Sequence, residues 1–301
     1  MLPGPLRGSF ESLSEHVVYS SELYADLRSR VIRMESAQID FSLPPRSDAD
    51  RRAHRAAQLL RPYAIDLPLV RVGGAGDGGY VMADLLTAPR AISIGVGPDV
   101  SWDADIARRG TAVAMFDPTV TAPPVSVPGS TFHRIGLGTA EQARTSGLDL
   151  APLARLVELA GASDREALLK IDVEGAEWEA LAAVDDFSRF SQIALELHDL
   201  DRLGDEHRAR NVLAVLEALH RTHLPIHLHG NNEEAAVRFD RLWLPAALEA
   251  TYLRRDHAAA TRPADALQTS LDAPSNPRFA DVDLTGLLLV EAIDGATEPG
   301  R

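Results

Sequence analysis

The chain has no cysteine, which excludes disulfides and cysteine-ligated zinc and leaves ten histidines as the soft metal ligands present in quantity. Positive charge is also scarce. Thirty Lys and Arg against 44 Asp and Glu give a net charge of −14, an unfavourable balance for binding nucleic acid or an anionic membrane. No run approaches the ~18 apolar residues that a membrane helix needs. The opening MLPGPLRGSFESLSEH lacks a basic segment followed by an apolar core, so no signal peptide is expected and a cytoplasmic location is. There is no internal repeat and no low-complexity tract. What is present is 301 residues, 45% of them apolar, enough for one large α/β domain or two small ones.

The stretch Leu168–Leu181, LLKIDVEGAEWEAL, organises the rest. Leu169, Ile171 and Val173 share one strand face, and Lys170 and Asp172 share the other. Gly175 turns the chain, and Ala176–Ala183 reads as a helix. Strand, glycine turn and helix make half of a βαβ unit. Ligands of open parallel sheets bind beyond the carboxyl ends of the strands, which is where Asp172 falls. Glu174 and Glu177 suit an acidic helix N-terminus.

Before it, Phe10–Ser36 reads as one or two helices, with Leu13, Val17, Leu23, Leu27 and Val31 at helical spacing. Ser42–Ser47, with Pro44–Pro45, reads as a linker. Asp48 and Asp50 open a helix ending near Tyr63. Residues 1–62 are therefore expected to be an appended helical extension, suited to a homo-oligomer contact or a lid, and 63–301 the main domain. Leu69–Met82 reads as a hairpin around a Gly-rich turn, where the backbone can approach a ligand and Asp77 can meet a positive group. Ala91–Gly97 is a buried strand ending in Gly95-Val96-Gly97, with Ser101 as N-cap of the following helix. Ala112–Phe116 is the next strand. Asp117 closes it 22 residues after Gly95, the distance at which a Rossmann unit presents an acid to a ribose. Val100 stands where the third glycine of a dinucleotide fingerprint belongs, which favours a ligand without a pyrophosphate.

Thr131–Leu137, Gln192–His198, Pro225–Gly230, Ala247–Leu253 and Leu287–Val290 are further strand candidates. A helix covers about Asp205–His220, and Arg262–Arg278 reads as a surface loop. Three strand ends carry polar groups: Asp172, then Glu196 and His198, then His227 and His229. Adjacent strands lie ~4.8 Å apart, so such groups can converge. Two chemistries fit: a histidine as general base, or a divalent metal held by Asp172, Glu196, His198 or His229. His227 is expected to be structural.

RVGGAGDGGYVM, SIGVGPDVSWD, MFDPT, LLKIDVEGAEWEAL, ELHDL and HLHGNN together resemble the FkbM-type S-adenosylmethionine-dependent methyltransferases over roughly residues 60 to 255. The resemblance implies a class I methyltransferase fold, a Rossmann-like, seven-stranded, mostly parallel sheet with helices on both faces. It implies S-adenosyl-L-methionine over Gly95, Val96 and Gly97, with Asp117 on the ribose and Ile135–Leu137 near the adenine. Asp77, Tyr80, Pro118 and Gly136 complete the cofactor set. It implies an O-methyltransferase acting on a hydroxyl of a sugar or secondary metabolite, with Asp172, His198 and His229 catalytic. Magnesium or another divalent metal enters by analogy with related sugar O-methyltransferases. An NAD-dependent dehydrogenase and a silent cofactor-binding subunit are the alternatives.

Overall fold

The computed structural model describes residues 22–35, 45–163, 166–259, 261–267 and 269–291. Seven strands form the central sheet: β1 Arg90–Ile94, β2 Ala112–Phe116, β3 Ser130–His133, β4 Ala167–Ile171, β5 Phe190–Leu197, β6 His223–Gly230 and β7 Leu248–Arg254. Their order is β3-β2-β1-β4-β5-β7-β6. Six run in one direction, and β7 runs against both of its neighbours. The half β3-β2-β1-β4-β5 repeats the Rossmann order, and the reversed β7 stands where a second parallel unit would continue. The fold is Rossmann-like α/β.

Strand alternation divides the apolar side chains between two cores. Ile92 and Ile94 of β1 with Leu169 and Ile171 of β4 face helices α5 Leu153–Leu159, α6 Glu177–Leu181 and α7 Glu206–Thr222. Ala91, Val113 and Leu168 face the opposite side. There helix α3 Ser101–Arg108 and the hairpin of Leu69–Val72 with Tyr80–Ala83 cover them. Arg90–Ile94 and Ala167–Ile171 are in direct parallel register. The central strands are apolar on both faces because helices shield both.

Several expectations change. The helix α2, Asp48–Leu60, is no appended cap. Ser47 closes a capping box with Asp50, and Ala53, Ala56, Ala57, Leu59 and Leu60 are all buried in the larger core. Small side chains let α2 lie close against α7, so the boundary drawn at residue 62 cuts through one packed body. The helix expected over Phe10–Ser36 is described over 22–35 as α1. Its earlier part, the first half of the Ser42–Ser47 linker, residues 1–9 and the tail after Ile293 lie outside the described residues. Thr131–Leu137 is two strands. After β3 the chain breaks, and Gly136–Leu137 pairs with Leu150–Ala151 in a separate sheet. Leu287–Val290 is not a strand: Thr285–Leu288 forms a short helix, α8. A four-residue apolar run does not distinguish the two by periodicity. Part of the expected loop Arg262–Arg278 pairs as a strand, Thr261–Pro263 with Tyr63–Ile65. Helix α6 is shorter than expected at five residues, because Trp178 and Leu181 meet the core within one turn.

Candidate functional site

A cleft of about 640 Å³ opens at the carboxyl ends of β1, β2, β4 and β5, where the strand order reverses. Its floor is the turn after β1. Gly95 has φ +83°, and a Cβ there would lie 1.6 Å from the Asp172 carbonyl oxygen. Only glycine lets the ends of β1 and β4 approach this closely. Gly97 has φ +54°, and a Cβ there meets nothing within 4 Å, because the space beside it is the cleft. Ser101, expected as the N-cap of α3, is its first helical residue, with Val100 at the cap position. The Ser101 hydroxyl instead accepts the Gly74 N–H at 2.7 Å and holds the hairpin.

Asp117 fastens the turn. One of its oxygens accepts the N–H groups of Val96 and Gly97 at 3.0 and 3.4 Å. The other accepts the N–H and hydroxyl of Thr119 at 2.7 and 2.6 Å. Burial pushes its carboxyl up, but the bonds from Thr119, Val96 and Gly97 outweigh burial and hold it below the usual range.

Lys170 is the only lysine among the chain's 30 basic residues. It is 3% exposed and lines the cleft from near the carboxyl end of β4. Its ammonium donates to the Gly95 carbonyl at 3.0 Å and lies 3.6 Å from an Asp172 oxygen, with the Tyr80 ring beneath it at 5.8 Å.

His198 follows the last residue of β5. Glu177, fully buried, accepts its backbone N–H at 2.8 Å and lies 3.3 Å from its Nδ1. The other Glu177 oxygen accepts the Gly175 N–H at 2.9 Å. Trp178 donates to the His198 carbonyl at 2.7 Å. Arg208 of α7 binds the Gly175 carbonyl and the carboxylates of Glu179 and Asp199. The string EGAEWE therefore holds His198 at the cleft. Glu174 and Asp199, on either side, both adopt left-handed backbone at φ +53° and +56°. Such positions are strained for side chains with a Cβ and gather at functional sites.

His198 Nε2 lies 3.5 Å from Glu174 and 3.8 Å from Glu196. Burial lowers its pKa, but Glu177, Glu196 and Glu174 outweigh burial and raise it. Burial, then the Asp172 charge, pushes Glu196 up as well, against His198 and a hydrogen bond from Asn231 at 3.0 Å. Donor atoms of Asp172, Glu174 and His198 all lie within 4.8 Å of one another. Two carboxylates and an imidazole form the mixed oxygen and nitrogen set that suits a hard or borderline divalent ion.

Of the expected cofactor residues, Asp77, Gly95, Val96, Gly97, Asp117, Pro118 and Gly136 line this one cleft. Tyr80 lies buried below it, and Ile135 packs on the core while Gly136 and Leu137 reach the cleft. Asp172, Glu196 and His198 come together as expected. His229 does not join them. It is 1% exposed, held between Glu249 at 3.3 Å and Asp281 at 3.0 Å, so both ring nitrogens are engaged away from the cleft. His227 is 3% exposed, lies 2.8 Å from an Asp272 oxygen and does not line the cleft. From the sequence, Glu174 and Glu177 read only as a helix N-terminus, and Lys170 has no role in the site. The signal was there: a run of acids around Gly175 needs partners if any of it is buried.

No family model, no curated protein and no solved structure matches the chain.

Proposed function

We propose that the protein is an S-adenosylmethionine-dependent O-methyltransferase of class I fold, assisted by a divalent metal, acting on a hydroxyl of a small molecule. One observation carries this reading. Eight carboxylates line the cleft against one lysine, with no arginine. That field opposes the pyrophosphate of a dinucleotide and favours a ligand bearing a sulfonium cation. The reversed β7 points the same way, since among the described residues no second parallel mononucleotide unit follows the first to take the other half of NAD. The open face of Gly97 and the FkbM-type motifs are consistent with a nucleoside ligand over the glycine turn.

S-adenosylmethionine, when bound, supplies a methyl group already activated for in-line transfer. The chain's part is then positioning. The N–H groups of Val96 and Gly97, fixed by Asp117, set the turn beneath the ligand. Asp172, Glu174 and His198 are the donors that would hold a divalent ion, which lowers the pKa of a bound hydroxyl. Without one, His198 Nε2 is the atom placed to take the hydroxyl proton once pH passes its raised pKa and the ring is neutral, with Glu196 3.8 Å behind it.

The test is calorimetric titration with S-adenosylhomocysteine and, separately, NADH, each with and without magnesium. Binding of the first and not the second is expected. Micromolar NADH binding with no response to S-adenosylhomocysteine would replace this reading with the dehydrogenase one.

A further inference from the structure

The cleft has two halves of unlike charge. One lies beyond β2 and β3, where Leu137, Gln142, Thr145, Leu148 and Leu150 line it. Its acid is Asp117, whose oxygens are already filled by the four bonds that hold the glycine turn. The other half lies beyond β5 and β6, beside the tip of the hairpin, and holds Glu196, Glu233 and Asp77. Asp172, Glu174 and His198 stand between the two.

The second half is short of both cations and donors. Among the described residues no lysine or arginine pairs with Glu196, Glu233 or Asp77, and the one charged partner of Glu196 is His198 at 3.8 Å. Burial, then the charges of Asp172 and Glu233, hold the Asp77 carboxyl above its usual range, against a hydrogen bond from Gly78 and the charge of Lys170. These acids therefore repel one another. Glu196 is 5% exposed; one of its oxygens accepts the Asn231 amide at 3.0 Å, and the other accepts no hydrogen bond among the described residues. The Tyr80 hydroxyl, on a side chain 2% exposed, makes none either. After burial, the charges of Asp172, Glu196, Glu249 and Asp77 push its pKa up, which sets it among them. Buried polar groups as a rule have partners. An ammonium brings a positive charge and three N–H donors, and so answers both deficits. A neutral hydroxyl answers only the second, and an anion neither.

We propose that the methyl acceptor is a cation, a polyhydroxylated small molecule carrying a protonated amine, of the amino sugar or aminocyclitol class. Glu196 and Glu233 hold the ammonium, and Asp77 is shared with the donor. The proposal rests on the methyltransferase reading, which puts the donor nucleoside over the glycine turn and leaves this half of the cleft to the acceptor. The divalent ion draws on Asp172, Glu174 and His198, so it leaves these acids unmet. A protonated amine has no lone pair, so the nucleophile is the hydroxyl. Its oxygen bonds to the methyl carbon as the carbon–sulfur bond breaks, the electron pair stays on the neutral thioether, and the hydroxyl proton leaves to His198.

Matched pairs decide it. The probes are 2-deoxystreptamine against myo-inositol and glucosamine against glucose, with glucuronate as the anion, titrated calorimetrically near neutral pH with S-adenosylhomocysteine and magnesium present. The amine of each pair should bind about tenfold or more tightly than its neutral partner, and raising salt from about 0.05 to 0.5 M should shrink that ratio. Glu233→Gln, at an exposed carboxylate, should cut the preference about fivefold or more while leaving melting temperature and S-adenosylhomocysteine affinity unchanged. Equal binding within the pairs, tighter binding of glucuronate, or no binding of either amine would overturn the proposal. So would a preference untouched by both Glu233→Gln and Asp77→Asn. Failure of S-adenosylhomocysteine to bind would overturn the methyltransferase reading instead, and the pairs titrated without it would still show whether this half of the cleft selects a cation.

Discussion

The Lys170 ammonium joins the Gly95 carbonyl to the Asp172 carboxylate, so one side chain fixes the distance between the cleft floor and the acid beside it. A charge-assisted hydrogen bond of this kind contributes about 1.5–3 kcal/mol. Lys170→Met keeps the stem and loses the bond. Expected are faster amide exchange at Val96 and Gly97 and about tenfold or more weaker S-adenosylhomocysteine binding, by the same energy. Lys170→Arg should not restore either, because a planar guanidinium cannot replace a compact ammonium in a buried strand. Unchanged exchange in Lys170→Met would show that the turn holds its shape without it.

Asp117 is bound to the glycine turn as well as facing the cleft, so its removal acts twice. Asp117→Ala leaves the N–H groups of Val96 and Gly97 without their acceptor and should cost about 1–3 kcal/mol of stability in addition to weakening cofactor binding. Denaturant unfolding and calorimetry read the two effects separately. Loss of binding with no loss of stability would mean that the turn is held by other contacts.

Glu177→Gln should lower the pKa of His198, because the largest influence raising it is the Glu177 carboxylate. A titration of the His198 ring by NMR gives the direction directly. Turnover should fall with it, since an amide has one acceptor oxygen and cannot hold both the His198 and the Gly175 N–H as the carboxylate does.

Metal binding at Asp172, Glu174 and His198 requires a neutral imidazole, so affinity for Mn²⁺ should rise with pH and each binding event should release protons. Calorimetry in buffers of different ionisation enthalpy measures that release. Glu174→Gln should weaken the ion at least tenfold. Binding that is indifferent to both pH and this substitution would place the ion elsewhere.

His229 gives a stability prediction of definite sign. Burial lowers its pKa, but Asp281 and Glu249 raise it to about 10, against ~6.5 in an unfolded chain. Its contribution is complete below about 6.5 and is lost as pH rises through about 10. Removing the cation from its buried carboxylate partner should cost about 3 kcal/mol or more near neutral pH. His229→Gln should therefore be strongly destabilised at pH 6 and much closer to wild type at pH 10.5, as read by melting temperature. Equal penalties at both would mean that the histidine is neutral throughout.

The sheet was legible wherever strands are apolar on both faces: Ala112–Phe116 falls where the sequence places it, and β1, β4 and β5 fall within a few residues. Asp172, Glu196 and His198 could be brought together because strand ends in one sheet are neighbours. His229 misled because alternation shows which face a side chain takes and not what stands opposite it. Asp281, 52 residues away, supplies that partner. The α2 boundary failed for a related reason. A helix rich in alanine has a weak apolar signal, yet alanine is what lets two helices touch closely. Glu177 and Lys170 act on atoms 21 and 75 residues distant, and no local pattern encodes such contacts.

A body with 29 arginines and one lysine has an unusual surface for chemistry. Reagents that acylate or reductively alkylate amines find a single internal side chain, at the cleft and 3% exposed, whose ammonium reacts only when it leaves Gly95 and Asp172. Any molecule entering there shields it. The extent of labelling at one residue, read by mass, then reports occupancy without knowledge of what has bound, and a compound library could be screened on that signal before a substrate is known.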